Sequence, residues 1–167
     1  MMNFTFQNKL IVTLAILLTV FGFAGKGQLS VDRVDLLEGE LSNSYDLAVD
    51  KHGASYICGY FHSELYLDPI SPSFYFQSKG YNDAFVQKTD AAGNFVWAAQ
   101  FGSNGFEEAY DITVDNNSNV IITGLFNGTV DFDPDPNNTF DLSALGSDDN
   151  FIVKLNSAGD LVWALQL

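Results

Sequence analysis

An internal tandem repeat restricts the fold of this 167-residue sequence more than any other feature. Of 57 aligned residue pairs, 20 are identical, and the two tryptophans of the chain, Trp97 and Trp163, occupy equivalent positions. Repeats of this size are typical of proteins in which each unit buries its apolar surface against a neighbouring unit. The aligned segments are 44–69 with 109–134, at an offset of 65, and 71–101 with 137–167, at an offset of 66.

Apolar residues alternate with polar ones inside each unit, which is the pattern of β-strands. In the second unit, for example, single polar residues separate Tyr110, Ile112 and Val114. No segment has the apolar spacing of an amphipathic helix. Minor strands are predicted at 64–67 and 129–132, in the long link between the second and third main strands. The predicted main strands are 45–50, 54–61, 84–89 and 95–101 in the first unit, and 110–115, 119–126, 150–155 and 161–167 in the second.

A repeated unit of four antiparallel strands with one tryptophan is the layout of β-propeller blades. We therefore expect an all-β fold of two tandem four-stranded antiparallel blades of β-propeller type, an incomplete propeller. A β-solenoid is the alternative for a repeated β unit, but its coils are usually shorter; strands of a β-sandwich, the other alternative, rarely repeat in sequence. The predicted organisation is a signal peptide at 1–27, an N-terminal lead-in at 28–43, a first blade at 44–101 and a second blade at 102–167.

Residues 1–27 have the three parts of a secretory signal peptide. Lys9 supplies a basic start, Leu10 to Ala24 is almost purely apolar, and small residues follow, so cleavage is predicted after Ala24 or after Gly27. The apolar run is 15 residues long. It is shorter than the roughly 20 residues that a membrane-spanning helix needs, and an uncleaved anchor is the alternative. We expect a bacterial protein that is secreted or held at the cell surface, with no membrane span after cleavage.

Charge and cysteine content exclude several classes of function. The chain has 21 Asp and Glu against 7 Lys and Arg, a formal net charge of −14. Proteins that bind nucleic-acid phosphates need clustered basic residues, so we expect no nucleic-acid partner. A single cysteine, Cys58, cannot form an intrachain disulfide or a cysteine-rich zinc site. We expect no cofactor other than the calcium ion considered below.

Two segments of the second unit resemble a known repeat family. They are YDITVDNNSNVIITGLFNGTVDFDP (110–134) and SDDNFIVKLNSAGDLVWALQ (147–166). Their turn glycines, tryptophan and Asp-Phe-Asp-Pro element resemble, in the same order, the SBBP-type β-propeller repeat of secreted bacterial proteins, in the version found in Bacteroidota. The resemblance covers about residues 44–167. It implies a secreted array of blades, in relatives with many repeats and a C-terminal sorting domain, and it brings no catalytic residues.

Two blades are fewer than the 4–8 that close a propeller. Unpaired edges and uncovered faces of such sheets favour association. We therefore expect the two units to be part of a longer array, or to complete a ring by self-association. Further propeller blades, or a second copy of the chain, are the first expected partners, and an extracellular protein or glycan is the next.

The sequence offers one candidate metal site. Asp131, Asp133 and Asp135 alternate along an extended segment, and such carboxylate oxygens suit Ca²⁺. The glycine and closing glutamate of an EF-hand are missing. The alternative is a solvated acidic turn shaped by two prolines, which the poor match of this element to the first unit favours. Asn137, Asn138 and Asp141 follow this segment and carry further side-chain oxygens.

Other acidic residues have structural and catalytic interpretations. Three pairs of aspartates recur at equivalent positions, which favours turn-forming hydrogen bonds at strand ends over catalysis. Glu107 and Glu108 are adjacent on a loop, and paired acids can hydrolyse a glycosidic bond. Nothing in the sequence fixes their separation. The recurring pairs are Asp46 with Asp111, Asp50 with Asp115, and Asp83 with Asp149.

The remaining candidates are single residues without a cluster of partners. We interpret His52 and His62 as surface residues and Cys58 as a small strand residue. Trp97 and Trp163 recur at strand positions, which favours packing over ligand stacking. The sequence therefore favours a non-enzymatic, secreted blade array that acts as a structural or binding surface. A calcium-stabilised adhesion or polysaccharide-binding module is the alternative, followed by a propeller glycoside hydrolase.

Overall fold

The computed structural model describes residues 42–68, 71 and 74–167, together with the backbone of 16–20, 31–36 and 38–39. Fifteen strands occur in these segments. Those that precede the repeats are β1 (Ile16–Val20), β2 (Val31–Leu36) and β3 (Glu38–Gly39). Those of the first repeat are β4 (Ser42–Val49), β5 (Ser55–Phe61), β6 (Glu64–Tyr66), β7 (Tyr75–Gln77), β8 (Asp83–Thr89) and β9 (Phe95–Phe101). Those of the second are β10 (Glu108–Val114), β11 (Val120–Phe126), β12 (Thr129–Asp131), β13 (Asp141–Ser143), β14 (Asp149–Leu155) and β15 (Leu161–Gln166).

Each repeat forms one four-stranded antiparallel sheet, and these sheets are called blade 1 and blade 2. Blade 1 has the strand order β4-β5-β8-β9 and blade 2 the order β10-β11-β14-β15. The predicted fold class is therefore confirmed, and the two blades do not close into a ring. The two predicted minor strands, β6 and β12, also form. Their partners β7 (Tyr75–Gln77) and β13 (Asp141–Ser143) were not predicted.

The same bulge occurs in the first strand of both blades. The pairing of β4 with β5 shifts between Ser44 and Asp46, and the pairing of β10 with β11 shifts between Ala109 and Asp111. Glycines lie on the partner strands at these points. A Cβ on Gly59 would lie 1.9 Å from the Asn43 carbonyl oxygen. The identity of Gly59 with its equivalent Gly124 in the repeat therefore has a steric cause.

The main core lies between the two blades. One face of blade 1, with Tyr56, Cys58 and Val86, packs against the opposite face of blade 2. Phenylalanine rings fill the blade 2 side, and the ring centroids of Phe132 and Phe151 are 5.0 Å apart. A second cluster covers the other face of blade 1; its fully or nearly fully buried members are Ile57, Phe61, Leu65, Leu67 and Phe85. Burial of alternate residues on stacked sheets explains the period of two in the sequence.

Hairpin turns at one end of the blades are closed by acidic or amide side chains. Asp50 accepts hydrogen bonds from the backbone N–H groups of His52 and Ala54, at 2.9 and 3.0 Å. Its repeat equivalent Asp115 accepts the same bonds from Asn117 and Asn119. The predicted turn-forming role is therefore confirmed for this pair.

The predicted signal peptide lies mostly outside the described residues. Of residues 1–27, the structure describes only Ile16–Val20, as a strand that pairs with Val31–Leu36. Within the described part of the chain, no helix has the length and hydropathy needed to cross a membrane. Export and cleavage stay predictions from the sequence.

Candidate functional site

Two side chains of blade 1 bind a hairpin turn of blade 2. The indole Nε1 of Trp97 donates to the Ser157 carbonyl oxygen at 3.1 Å, and Lys88 Nζ donates to the same oxygen at 2.9 Å. The Lys88 ammonium also lies 5.1 Å from the centre of the Tyr56 ring. Gly159 allows the close approach, because a Cβ there would lie 3.0 Å from Trp97 Cδ2. The sequence analysis assigned Trp97 to packing, and it packs at the junction between blades.

Blade 2 carries the same side chains on the face that points away from blade 1. Trp163 and Lys154 are the repeat equivalents of Trp97 and Lys88. At the junction, Ala99 and Phe101 are 3% and 1% exposed, whereas their equivalents Leu165 and Leu167 are 53% and 70% exposed. This surface is called the outer face of blade 2 and comprises Ile121, Thr123, Leu125, Ile152, Lys154, Trp163, Leu165 and Leu167. It has the apolar pattern of the existing blade junction, but its Leu165 and Leu167 are exposed.

Lys154 makes a different contact from that of Lys88. Its Nζ forms an ion pair with Asp115 Oδ2 at 2.9 Å. The ammonium of Lys154 lowers the pKa of Asp115, with help from Asn119. In blade 1 the equivalent Asp50 instead accepts a bond from the Tyr56 hydroxyl at 3.1 Å. The lysine of blade 2 thus bonds within its own blade.

A second surface lies where the first strands of the two blades run side by side. The repeated bulge places Tyr45 and Tyr110 outside the ladder, and these side chains are 48% and 43% exposed. Their ring centroids are 5.5 Å apart, and Tyr60 lies 5.5 Å from Tyr45 on the other side. Bulges commonly redirect a side chain next to a functional site.

Two loops extend this surface with another pair of rings. Tyr81 and Phe106 stack at 4.8 Å with their planes only 7° from parallel, and they are 60% and 44% exposed. The loops are fixed to one another by backbone bonds, since the Gly105 carbonyl oxygen accepts from the Tyr81 N–H at 3.0 Å. Phe106 N–H donates to Asn127 Oδ1 at 3.3 Å. The stacked pair is therefore held by both repeats.

Glu108 joins the two groups of rings. Its carboxylate accepts from Asn82 Nδ2 at 2.9 Å and from the Tyr45 hydroxyl at 3.4 Å. Partial burial, followed by the charge of Glu108, raises the pKa of Tyr45, so its hydroxyl stays a donor at neutral pH. Together Tyr45, Tyr60, Tyr81, Phe106 and Tyr110, with Asn82 and Glu108, are called the aromatic surface.

The adjacent acids Glu107 and Glu108 have different environments. Glu107 is fully buried, and both of its oxygens accept bonds from Ser103, at 2.7 Å from the backbone N–H and 2.6 Å from the hydroxyl. Burial raises the pKa of Glu107. Glu108 is half-buried at the aromatic surface. A pair of acids that flank one glycosidic bond must both reach the substrate, and the buried Glu107 does not.

The three aspartates of the predicted calcium site form a chain of turns. Asp131 Oδ1 accepts from the N–H groups of Asp133 and Phe140, at 3.0 and 2.8 Å. Asp133 Oδ1 accepts from Asp135 N–H, and Asp135 accepts from Asn137. Hydrogen bonds from Asn137 lower the pKa of Asp135. In the residues that the structure describes, no three Asp, Glu, His or Cys side chains are grouped to hold a metal ion. Calcium binding stays a prediction.

The other recurring aspartates bind across strands and blades. Asp83 accepts from the Lys79 N–H at 3.1 Å and from Gln100 Nε2 at 2.6 Å. Asp149 repeats this arrangement with Leu145 and Gln166. Asp46 does not form the predicted turn, because its Oδ2 accepts from the Ile112 N–H of blade 2 at 3.0 Å. A hydrogen bond with Asp46 raises the pKa of Asp111.

Cys58 and the two histidines also have structural positions. Cys58 is fully buried at the blade junction, where burial and then the charge of Asp46 raise the pKa of its thiol to about 12. His52 is exposed in a turn, as expected. His62 is half-buried and donates from Nδ1 to the Tyr81 carbonyl oxygen, so it supports the aromatic surface.

The aromatic surface was not predicted from the sequence. Its members come from strands and loops far apart in the chain, and only two repeat-equivalent residues gave a signal. Tyr45 and Tyr110 are identical in the repeat, and so are Gly59 and Gly124 on the partner strands. A glycine inside a strand commonly marks a bulge, so this combination could have indicated exposed tyrosines.

Comparison with known proteins adds one similarity. No protein-family model matches the chain. Over 95 residues, 54% of this chain, it is 33% identical to the uncharacterized WD repeat-containing protein L264 of Acanthamoeba polyphaga mimivirus. The match spans 7% of that protein. The similarity is distant and partial, but it agrees with the two stacked four-stranded sheets. The repeats of this chain form a WD- or propeller-like β domain.

Proposed function

We propose that this chain is a secreted, non-enzymatic β-propeller repeat protein of the SBBP type, whose blades assemble with further blades and present a surface for an extracellular protein or glycan. The observation that carries the proposal is the outer face of blade 2. Leu165 and Leu167 are exposed at positions where Ala99 and Phe101 are buried by a neighbouring blade. Exposed apolar faces of this kind mark association sites.

The fit of the outer face to another blade follows from the repeat. Trp97 and Lys88 bind a hairpin carbonyl oxygen above a glycine of positive φ, which is +96° at Gly159. Trp163 and Lys154 offer the same donors to the hairpin of a further blade. Lys154 would then exchange its ion pair with Asp115 for the hairpin carbonyl. Asp115 is not left unpaired by this exchange, because it also accepts hydrogen bonds from the Asn117 N–H, the Asn119 N–H and Asn119 Nδ2.

A non-enzymatic role is supported by the environment of the acidic residues. Glu107 is buried, and the recurring aspartates bind backbone N–H groups or glutamine side chains. Repetition of the same bond in both blades, as for Asp83 and Asp149, is typical of structural residues. A structural or binding role of these acidic residues fits the observations best.

The assembly proposal is tested by giving the chain a third blade. A second copy of residues 102–167 is joined after Leu167, and the melting temperature is compared with that of the original chain. We expect a rise of several degrees, because Leu165 and Leu167 become buried. Leu165→Lys in the extended chain should remove the rise, whereas Val162→Lys should not, since its equivalent Val96 stays 46% exposed at the existing junction. An unchanged melting temperature in the extended chain would contradict the proposal.

Export is tested separately in a bacterial host. We expect the chain to reach the periplasm or medium, with an N-terminus at Gly25 or Gln28 as determined by sequencing of the processed protein. Retention in the cytoplasm with Met1 intact would contradict export. This result bears on location alone, because the blades begin after the processed segment.

A further inference from the structure

We propose that the aromatic surface binds a neutral polysaccharide, with Tyr81, Phe106 and Tyr45 stacking on sugar rings and Glu108 accepting hydrogen bonds from sugar hydroxyls. This inference rests on the proposed function as a binding scaffold and names its ligand class. Large aromatic residues are fully buried in both stacked sheets, for example Phe85 in blade 1 and Phe151 in blade 2, so exposed rings are not the rule in this fold.

Exposure and polarity of the rings distinguish this surface from a core that is incompletely covered. Tyr45, Tyr81, Phe106 and Tyr110 are 43–60% exposed. Their neighbours are a carboxylate and an amide, Glu108 and Asn82, which are bonded to each other at 2.9 Å. Aromatic rings combined with a few fixed polar groups are typical of small-molecule and sugar-sized sites. A sugar ring has the matching chemistry, with an apolar face and hydroxyls around its edge.

The geometry of the surface is fixed before a ligand binds. Parallel pairing of Asn82 with Phe106 and the bond from Glu107 N–H to the Asn82 carbonyl oxygen, at 2.9 Å, tie the two loops together. Gly80 lets them approach, because a Cβ there would lie 2.4 Å from the Asn104 carbonyl carbon. Little conformational entropy is then lost on binding, which favours affinity for a ligand of few contacts.

Charge selects the kind of polysaccharide. The chain has a net charge of −14, and Glu108 lies in the middle of the surface. An anionic polymer would be repelled by both. A cationic protein would be attracted by the overall charge, but the surface itself consists mainly of neutral groups, the five rings and the Asn82 amide. A neutral polymer with hydroxyl donors therefore fits better than either.

The test measures binding of three polymer classes to the whole protein by isothermal titration and affinity electrophoresis. The neutral probes are laminarin, galactomannan and arabinoxylan; polygalacturonate is the anionic probe and poly-L-lysine the cationic one. Binding of at least one neutral polysaccharide, with at least tenfold weaker binding of polygalacturonate, is expected. Absence of binding to every neutral probe, or binding of poly-L-lysine alone, would overturn the proposal.

Two variants connect binding to the aromatic surface. Tyr81→Ser introduces the residue that the second repeat has at the equivalent position, Ser147, so the blade is expected to fold. It should weaken polysaccharide binding at least tenfold. Tyr75→Ala is the matched control, because Tyr75 is 47% exposed and pairs with Tyr66 on the small sheet away from this surface. Equal weakening by both variants would overturn the proposal.

The two proposals can fail separately. Tyr81→Ser leaves the outer face of blade 2 unchanged, so the gain in melting temperature from a third blade should persist in this variant. If the protein gains stability from a third blade but binds no neutral polysaccharide, the assembly proposal stands and the polysaccharide proposal is wrong. If polysaccharide binding depends on Tyr81 but a third blade does not raise the melting temperature, the polysaccharide proposal stands and the assembly proposal is wrong.

Discussion

The indole Nε1 of Trp97 in blade 1 donates a hydrogen bond of 3.1 Å to the carbonyl oxygen of Ser157 in blade 2. This bond joins the last strand of one repeat to the last hairpin of the next. The turn glycine Gly159 supports it in two ways: it adopts a φ of +96°, and its missing side chain leaves room for the indole. Trp97 of the first repeat and Gly159 of the second therefore depend on each other across the junction. This explains why tryptophan and glycine recur at these positions of the repeat.

Gly159→Ala is expected to lower the free energy of unfolding. The left-handed φ alone costs about 1–2 kcal/mol for a residue with a Cβ, and the new methyl would lie 3.0 Å from Trp97 Cδ2. Urea denaturation followed by tryptophan fluorescence measures the loss. Gly146→Ala is the control, because nothing lies within 4 Å of a Cβ there. Equal stability of the two variants would show that the hairpin does not depend on the contact.

Cys58 is expected to resist modification in the folded protein. It is fully buried at the blade junction, and its pKa is raised to about 12, so almost none of the reactive thiolate is present at pH 8. Ellman's reagent should label Cys58 slowly in buffer and quickly in guanidinium chloride. Because exchange requires the blades to separate, Gly159→Ala should speed labelling. Rapid labelling of the unmodified native protein would contradict the described junction.

Stability is expected to decrease as pH rises above about 4.5. Burial raises the pKa values of Asp83 and Glu107. These carboxyl groups therefore bind protons more tightly in the folded protein than in the unfolded chain. Their contribution to stability is complete below the unfolded-state pKa values of 3.8 and 4.5. It is lost as pH rises through the higher pKa values of the folded state. Unfolding titrations across this range measure the slope, which Glu107→Gln should reduce.

The opposite dependence is expected at lower pH. Lys154, followed by Asn119, holds the pKa of Asp115 below its ordinary value of 3.8. A lowered carboxyl pKa stabilises the fold above the unfolded value and stops doing so as pH falls through the folded value. Stability should therefore pass through a maximum in mildly acid solution. A steady rise of stability from pH 4.5 to 8 would contradict the raised pKa values of Asp83 and Glu107, and unchanged stability below pH 3.8 would contradict the lowered pKa of Asp115.

Calcium is expected to change the stability little, because backbone N–H groups already bind the carboxylates of Asp131, Asp133 and Asp135. The melting temperature should agree within about a degree between EDTA and millimolar Ca²⁺. Asp131→Ala should lower it in both conditions, since two backbone bonds are lost at about 1 kcal/mol each. A calcium-dependent rise that Asp133→Ala abolishes would establish the metal site that the sequence suggests.

The repeat and its period of two were enough to predict the eight main strands. Their predicted bounds differ from the structure by at most three residues, the largest difference being at Ser42, where β4 begins before 45. Local alternation is sufficient there because each strand buries one face against a neighbouring sheet. The roles of Asp50 and Asp115 followed from their positions beside short turns.

The binding surface could not be predicted in the same way. Tyr81 and Phe106 meet because two loops pair across the repeats, and no local pattern reports such pairing. The reach of Asp46 to the Ile112 N–H likewise depends on how blades stack. In this chain, the sequence pattern determined which residues form strands, whereas contacts between blades determined what remains exposed.

The most direct test of the account is the solution mass of residues 28–167, measured by light scattering after size exclusion. Association through the outer face of blade 2 is expected, as either a discrete oligomer or a polydisperse sample. Leu165→Lys should shift this sample toward the monomer, whereas Val162→Lys, at a side chain of similar exposure, should not. A monodisperse monomer at a protein concentration of about 100 µM, unchanged by either substitution, would contradict the central claim that this face accepts another blade.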